Sequence, residues 1–237
     1  MLKRRYFLLI VVMLLLLVSS MTVCADFRII LNFDDGYRGV YQNGFPMMRQ
    51  RDLPGVLFVS TGFVNREKNL TRKQLVELKE AGWEIGSHTV HHYNLEELTP
   101  EYLQREIVES KQFLLKAGLI GPGYASFASP LTAWNEEVEK VVEKHYHVAR
   151  NSHLLFFPEK REVKSMARVI LKSTELAQVK IWIGEAKQLN LPLILIFHEI
   201  ADGGNVYFFP PVKFEQLLDL IKDYPVITFY DLYQTNH

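Results

Sequence analysis

Arg28-Ile29-Ile30-Leu31-Asn32-Phe33-Asp34-Asp35-Gly36-Tyr37 is the stretch from which the rest of the chain is read. A short, mainly apolar run ends abruptly in two carboxylates and a glycine, and at this length residues 28–33 read as a buried strand. Asp34 and Asp35 then sit side by side at a strand end, pointing in different directions. One can bind a metal while the other stays free, and Gly36 permits the tight turn that exposes both. The plainer reading makes both aspartates caps of backbone amides in a turn.

Outward from this stretch, strands and helices alternate. Strands are expected at residues 56–60, 83–87, 124–128, 146–151, 168–171, 193–197 and 226–229. Helices are expected at 71–79, 100–117, 135–144, 174–189 and 211–222. Thr71 caps the first helix and Gly82 follows its end. Thr99-Pro100 opens the second, with proline at its first helical position, and Gly118 stops it. No repeat, Gly/Ser linker or charge run divides the chain. Strands separated by helices imply parallel pairing with the helices outside, and seven or eight such units make a (β/α) barrel the economical architecture. Sites on such barrels lie at the C-terminal ends of the strands.

The 237 residues are 48% hydrophobic and 23% charged, a globular composition that excludes disorder and low-complexity classes. Lys+Arg and Asp+Glu both number 27, so no basic field exists to hold a phosphate backbone, and no nucleic-acid partner is expected. Lys3, Arg4 and Arg5 precede an apolar run at 6–18, followed by small and polar residues up to Ala25. This is the pattern of a secretory signal cut after Ala25. Residues 6–25 as an uncleaved membrane anchor, and Cys24 as a lipid-modified residue, are the alternatives. Membrane contact is expected only through this segment, if at all. An exported location follows, secreted or in the cell envelope, with residues 26–237 forming one domain. Cleavage removes three basic residues and the single cysteine, leaving a mildly acidic chain without disulfides.

Three further segments fall at predicted strand ends. Gly86-Ser87-His88-Thr89-Val90-His91-His92 places three histidines within five residues. If the chain turns helical here, His88 and His92 share one face, with His91 as the rival second ligand. Two imidazoles and one carboxylate make a three-ligand site with positions left open, as in catalytic zinc sites. His198, directly after the strand at 193–197, can pass a proton to a leaving group; alone it would more often be structural, and its place beside the other two segments raises it. Ser126-Phe127-Ala128-Ser129-Pro130-Leu131 offers a rigid turn able to aim a backbone N–H at an oxyanion, or a plain proline turn.

Phe-Asp-Asp-Gly, then His-Thr-x-x-His, then a proline turn, then a strand ending in histidine resembles the polysaccharide deacetylases. These are the NodB-homology proteins of carbohydrate esterase family 4, and the likeness spans residues 29–232. The resemblance implies a distorted (β/α)7 barrel and a divalent metal held by Asp35, His88 and His92. That metal is usually zinc, while cobalt, nickel or iron would fit the same ligands. It further implies Asp34 as general base, His198 as general acid, the backbone N–H of Leu131 on the oxyanion and Ile196 against the acetyl methyl. The substrate implied is an N-acetylated glycan.

Three positions depart from the family pattern. Phe127 stands where an arginine usually holds the base, Leu131 where an aromatic usually follows the proline, and the Asp/Trp fourth motif has no counterpart. Arg150, ending the next strand, is the candidate to orient Asp34, and Glu199 and Asp202 lie close to His198 in sequence. Two alternatives accompany the N-deacetylase reading: an O-acetyl esterase acting on a xylan-like polymer, and a glycan- or metal-binding module without catalysis. Tyr37, Tyr41, Tyr93, Trp134, Tyr207 and Phe208 are candidate sugar contacts or packing residues.

Overall fold

A computed structural model describes residues 27–159 and 161–235; the expected signal or anchor at 1–25 lies outside the described residues. The main strands are β1 (Ile29–Phe33), β2 (Val56–Val59), β3 (Glu84–Ser87), β4 (Ser126–Ala128), β5 (Val148–Arg150), β6 (Leu155–Phe157), β7 (Arg161–Val163), β8 (Met166–Val169) and β9 (Leu193–Phe197). They form one nine-stranded sheet in the order β7-β6-β5-β4-β3-β2-β1-β9-β8. The seven strands from β5 through β8 in that order pair in parallel, and β6 and β7 add an antiparallel hairpin at one edge. The sheet is thus a distorted (β/α)7 barrel whose two edges, β7 and β8, do not pair among the described residues. A small parallel pair, β10 (Glu199–Ile200) with β11 (Phe208–Phe209), lies beyond β9.

Strand β1 is buried along its whole length, as expected for a parallel strand covered on both faces. Alternation along it sorts the core into two layers. Ile29, Leu31 and Phe33 pack outward with helix residues such as Leu75, Leu217 and Leu218. Ile30 packs inward with Phe58, Val148, Ile194 and Ile196. Asn32 shares that inner face and is fully buried. Gly86 on β3 makes room for this inner layer: a Cβ there would sit 2.4 Å from the Phe58 ring.

The helices are α1 (Phe45–Arg49), α2 (Arg72–Glu80), α3 (Pro100–Lys116), α4 (Glu136–Val142), α5 (Leu176–Leu189), α6 (Pro211–Ile221) and α7 (Phe229–Thr235). Thr71 and Gln74 close a reciprocal capping box on α2. Leu103, Ile107 and Leu114 form the buried stripe of α3, and the polar residues Glu106 and Ser110 lie in the same stripe. No helix among the described residues is long and apolar enough to cross a membrane.

Two sequence expectations need correction. Residues 226–229 do not form an eighth strand. Val226 makes one parallel bridge to Ile29, below the point where β2 begins to pair with β1. Thr228 and Asp231 then exchange N-terminal capping bonds, at 2.9 Å and 3.1 Å, that turn the chain into α7. The hairpin of β6 and β7 was not anticipated, and the strand expected at 168–171 lies two residues earlier, at Met166–Val169.

Candidate active site

The C-terminal ends of β1, β3, β4, β5 and β9 surround a cleft of about 550 Å³. Asp34, Asp35, His88, His92, Leu131, Arg150, Ile196 and His198 all line it. Eight described non-glycine residues have positive φ, and five of them are here: Asp35, Thr89, His92, Leu131 and Thr132. Left-handed backbone at such residues costs about 1–3 kcal/mol each and persists where the surroundings over-determine it. The histidine segment is accordingly a loop and not the helical turn expected from spacing. Thr89 (φ 65°) and His92 (φ 62°) bend it so that His88 and His92 converge, with ring centroids 4.9 Å apart.

Asp35 Oδ1 lies 3.4 Å from His88 Nε2 and 3.1 Å from His92 Nε2. One ligand atom from each of the three residues falls within 4.8 Å of the others. His88 Nδ1 is 2.8 Å from the Ala128 carbonyl. A proton on that nitrogen leaves the Nε2 lone pair facing Asp35. Asp35 Oδ1 is buried and has no hydrogen-bond partner among the described residues. Two imidazole nitrogens converging on a buried carboxylate oxygen suit a divalent cation. Burial pushes the Asp35 carboxyl up, but the close approach of His88 and His92 outweighs it and holds the group well below the usual carboxylate range. Burial likewise pulls His92 down, and the Asp35 and Asp34 carboxylates more than restore it, so its pKa is raised.

His91, the rival ligand, turns away. Its Nδ1 is 2.6 Å from Glu106 Oε1, and its ring stacks on Tyr93. Glu106 Oε2 also accepts the backbone N–H groups of Val90 and His91, at 3.0 and 2.8 Å, pinning the loop to α3.

On the other side of Asp35, Arg150 reaches across the barrel interior. Its Nη2 donates to Asp34 Oδ1, its Nε donates to Asn32 Oδ1 at 2.9 Å, and its guanidinium lies 4.9 Å from the Phe58 ring centre. Asn32 Nδ2 donates to the same Asp34 oxygen at 2.8 Å. Burial lowers the Arg150 pKa and the Asp34 charge opposes that shift. Phe127, at the position where the family pattern has an arginine, is core packing against Tyr146.

His198 stands apart from this network. Its Nδ1 is buried with no hydrogen-bond partner among the described residues. Its ring centroid lies 4.7 Å from that of Tyr207, and burial lowers its pKa against the nearby Asp34 and Asp35 charges. Neither sequence neighbour is its partner: Glu199 accepts the Gly39 N–H at 2.9 Å, and Asp202 is exposed. Gly39 is tied to this contact, since a Cβ there would lie 2.4 Å from Glu199 Oε1.

Leu131 is 65% exposed with φ 53°, and Ile196 is 1% exposed. Of the candidate sugar contacts, Tyr37 and Tyr207 line the cleft. Phe208 packs edge-on to Tyr37, Trp134 packs on Phe156, and Tyr41 stacks on Phe45 and bonds to Glu77. Sequence reading missed Asn32 and Glu106. Both carried a legible sign, a polar residue on a face otherwise committed to the core. His153 and Ser152, on the loop after β5, also line the cleft, and no motif marked them.

The polysaccharide deacetylase family model matches residues 25–149, more than half of the chain. The chain belongs to that family. YxkH of Bacillus subtilis (strain 168), by name a polysaccharide deacetylase, is 30% identical over 116 residues, which cover 49% of this chain and 41% of YxkH. The poly-β-1,6-N-acetyl-D-glucosamine N-deacetylase of Staphylococcus aureus (strain MRSA252) is 25% identical over 128 residues, covering 48% and 43% of the two chains. The chain spans less than half the length of these curated relatives. A solved structure of the T48 deacetylase with substrate superposes with a TM-score of 0.62 at 20% identity, over 89% of this chain and 93% of that one. At that identity the likeness concerns the fold.

Proposed function

We propose that this protein is an exported, metal-dependent hydrolase that removes N-acetyl groups from a polysaccharide or oligosaccharide. The reading is carried by the convergence of Asp35 Oδ1, His88 Nε2 and His92 Nε2 beside Asp34, in a cleft that His198 also lines. Those three residues would hold a divalent cation, zinc first among those the ligand set suits. A cation bound there supplies positive charge for an acetyl carbonyl and lowers the pKa of a water.

The chain's own residues divide the remaining work. Asp34 takes the proton from water as its oxygen adds to the carbonyl carbon, and Arg150 holds that carboxylate in place. The backbone N–H of Leu131 donates to the oxyanion. Ile196 lies against the acetyl methyl. His198 gives a proton to the amine nitrogen as the C–N bond breaks, releasing acetate and a free amine; an unprotonated amine leaves poorly, so an acid is required.

The S. aureus relative is named for poly-β-1,6-N-acetyl-D-glucosamine, and oligomers of that polymer form the first arm of the test. Purified protein would be stripped with chelator, reloaded with zinc and assayed for acetate beside Asp34→Asn. O-acetylated xylan and other N-acetyl oligosaccharides complete the panel. Zinc-dependent release from amides, lost in Asp34→Asn, is expected. Release from the ester alone would replace this reading with an esterase, and metal uptake with no release from any substrate would replace it with a binding module.

A further inference from the structure

We propose that Asn32 is a positioning residue for this reaction: with Arg150 it closes a buried triangle on one oxygen of Asp34 and so commits the other oxygen to the proton. The inference rests on the deacetylase reading above and adds a residue that the family resemblance does not supply.

Three observations carry it. Asn32 is two residues before Asp34, and the two-residue period of a strand sends both side chains to the inner face of the curl. Its apolar neighbours on that face are Ile30, Phe58, Val148, Ile194 and Ile196. Asn32, Arg150 and Asp34 are 0%, 1% and 5% exposed, and buried polar groups persist where each finds a partner. Here the partners are one another: Asn32 Nδ2 to Asp34 Oδ1, Arg150 Nη2 to the same Oδ1, and Arg150 Nε to Asn32 Oδ1.

Both bonds to Asp34 fall on Oδ1. Oδ2 stands outside the triangle, on a residue that lines the cleft. A carboxylate gripped at one oxygen by two donors, one of them charged, cannot rotate without breaking both bonds. Arg150 is itself fixed by Asn32 and by the Phe58 ring. The guanidinium reaches the base from β5 in a chain whose Phe127 fills the usual position, and the Asn32 amide oxygen holds it at Nε. Asn32 touches neither substrate nor metal in this scheme and acts through Asp34.

The test is Asn32→Leu, which keeps the branched heavy-atom skeleton and cannot hydrogen-bond, with Asn32→Gln as the conservative partner and Arg150→Lys for a double-mutant comparison. Zinc-loaded proteins would be assayed well below their melting temperatures on the N-acetyl substrate that the wild type turns over. Asn32→Leu is expected to lower kcat by ~10- to 100-fold with KM and zinc affinity little changed, as misplacement of a reacting group does. Asn32→Gln is expected to recover part of the loss. Asn32→Leu combined with Arg150→Lys should be little worse than Arg150→Lys alone, because the two act as one unit. A crystal structure of Asn32→Leu should find the Asp34 carboxylate turned from its native rotamer. Wild-type kcat in Asn32→Leu, or additive losses in the pair, would overturn this inference and leave the deacetylase reading standing. A wild-type protein silent on the whole panel would overturn the reading and the inference with it.

Discussion

Asp34 and His198, the base and the acid of the proposed reaction, stand in opposite surroundings. Asp34 is gripped by Arg150 and Asn32 within the barrel interior. His198 presents a buried Nδ1 with no hydrogen-bond partner among the described residues, and its nearest ring neighbour is Tyr207, which is 45% exposed. Asp34 is therefore fixed within the scaffold, whereas His198 borders the loop that carries Tyr207. A strand supplies rigid placement, and a loop supplies placement that can be completed on binding. The same asymmetry separates the two histidines proposed as metal ligands: His88 is fixed by the Ala128 carbonyl at the end of β4, and His92 sits in a left-handed loop pinned by Glu106.

The sharpest break of this comparison is Asp34→Asn against His198→Asn. Loss of the base should cost ~10³-fold or more in kcat on an amide, and loss of the acid ~10²-fold. Acetate release from an N-acetyl oligosaccharide measures both, and equal losses would erase the distinction. An ester substrate should narrow the His198→Asn loss further, because an alcohol leaves with less help. Arg150→Met should destabilise the fold by about 3–5 kcal/mol in urea unfolding, since it strands a buried carboxylate. Tyr207→Leu should leave that stability unchanged within about 0.5 kcal/mol, as expected for a half-exposed rim residue.

Glu106→Gln should weaken zinc binding by about tenfold in calorimetric titration, because it loosens the loop that carries His92. Unchanged affinity would mean the loop holds itself. The smallest effect lies at the opposite end of β3. Glu84 accepts hydrogen bonds from Tyr124 Oη and from the Tyr230 N–H, at 3.0 and 2.8 Å, and burial raises its pKa above the ordinary 4.5. A carboxyl with a raised folded pKa contributes stability that is present below its unfolded pKa and lost as pH rises through the folded value. Melting temperature should therefore fall above about pH 4.5 in the wild type. Glu84→Gln should flatten that fall and leave acetate release unaltered.

Much of the fold was legible because strand periodicity, glycine stops and the Thr71 and Thr99-Pro100 starts are local signals. The seven parallel strands lie where apolar runs were read, to within about two residues. The hairpin at Leu155–Phe157 and Arg161–Val163 escaped because short runs beside a proline carry little periodicity. The bridge at Val226 escaped in the opposite sense: its apolar run resembled a strand, but Thr228 and Asp231 close a cap that only the folded geometry brings into play.

The sequence by itself determined which side chains are available: an acid pair at a strand end, a histidine cluster, a terminal histidine on β9 and an arginine on β5. Each is a matter of residue type and spacing along a few positions. Only the tertiary structure decided which of them meet. His88 and His92 meet at Asp35 as their spacing suggests, but through left-handed turns at Thr89 and His92 in place of a helical turn, while His91 is drawn to Glu106. Arg150 reaches Asp34 across 116 positions of chain because the curl of the sheet sets β5 opposite β1 over the Phe58 ring. Glu199, the neighbour of His198 in sequence, does not partner it because its carboxylate is drawn to the Gly39 amide. Contacts between distant strands depend on curvature, register and the exclusion of water from the barrel interior, and those are properties of the assembled sheet.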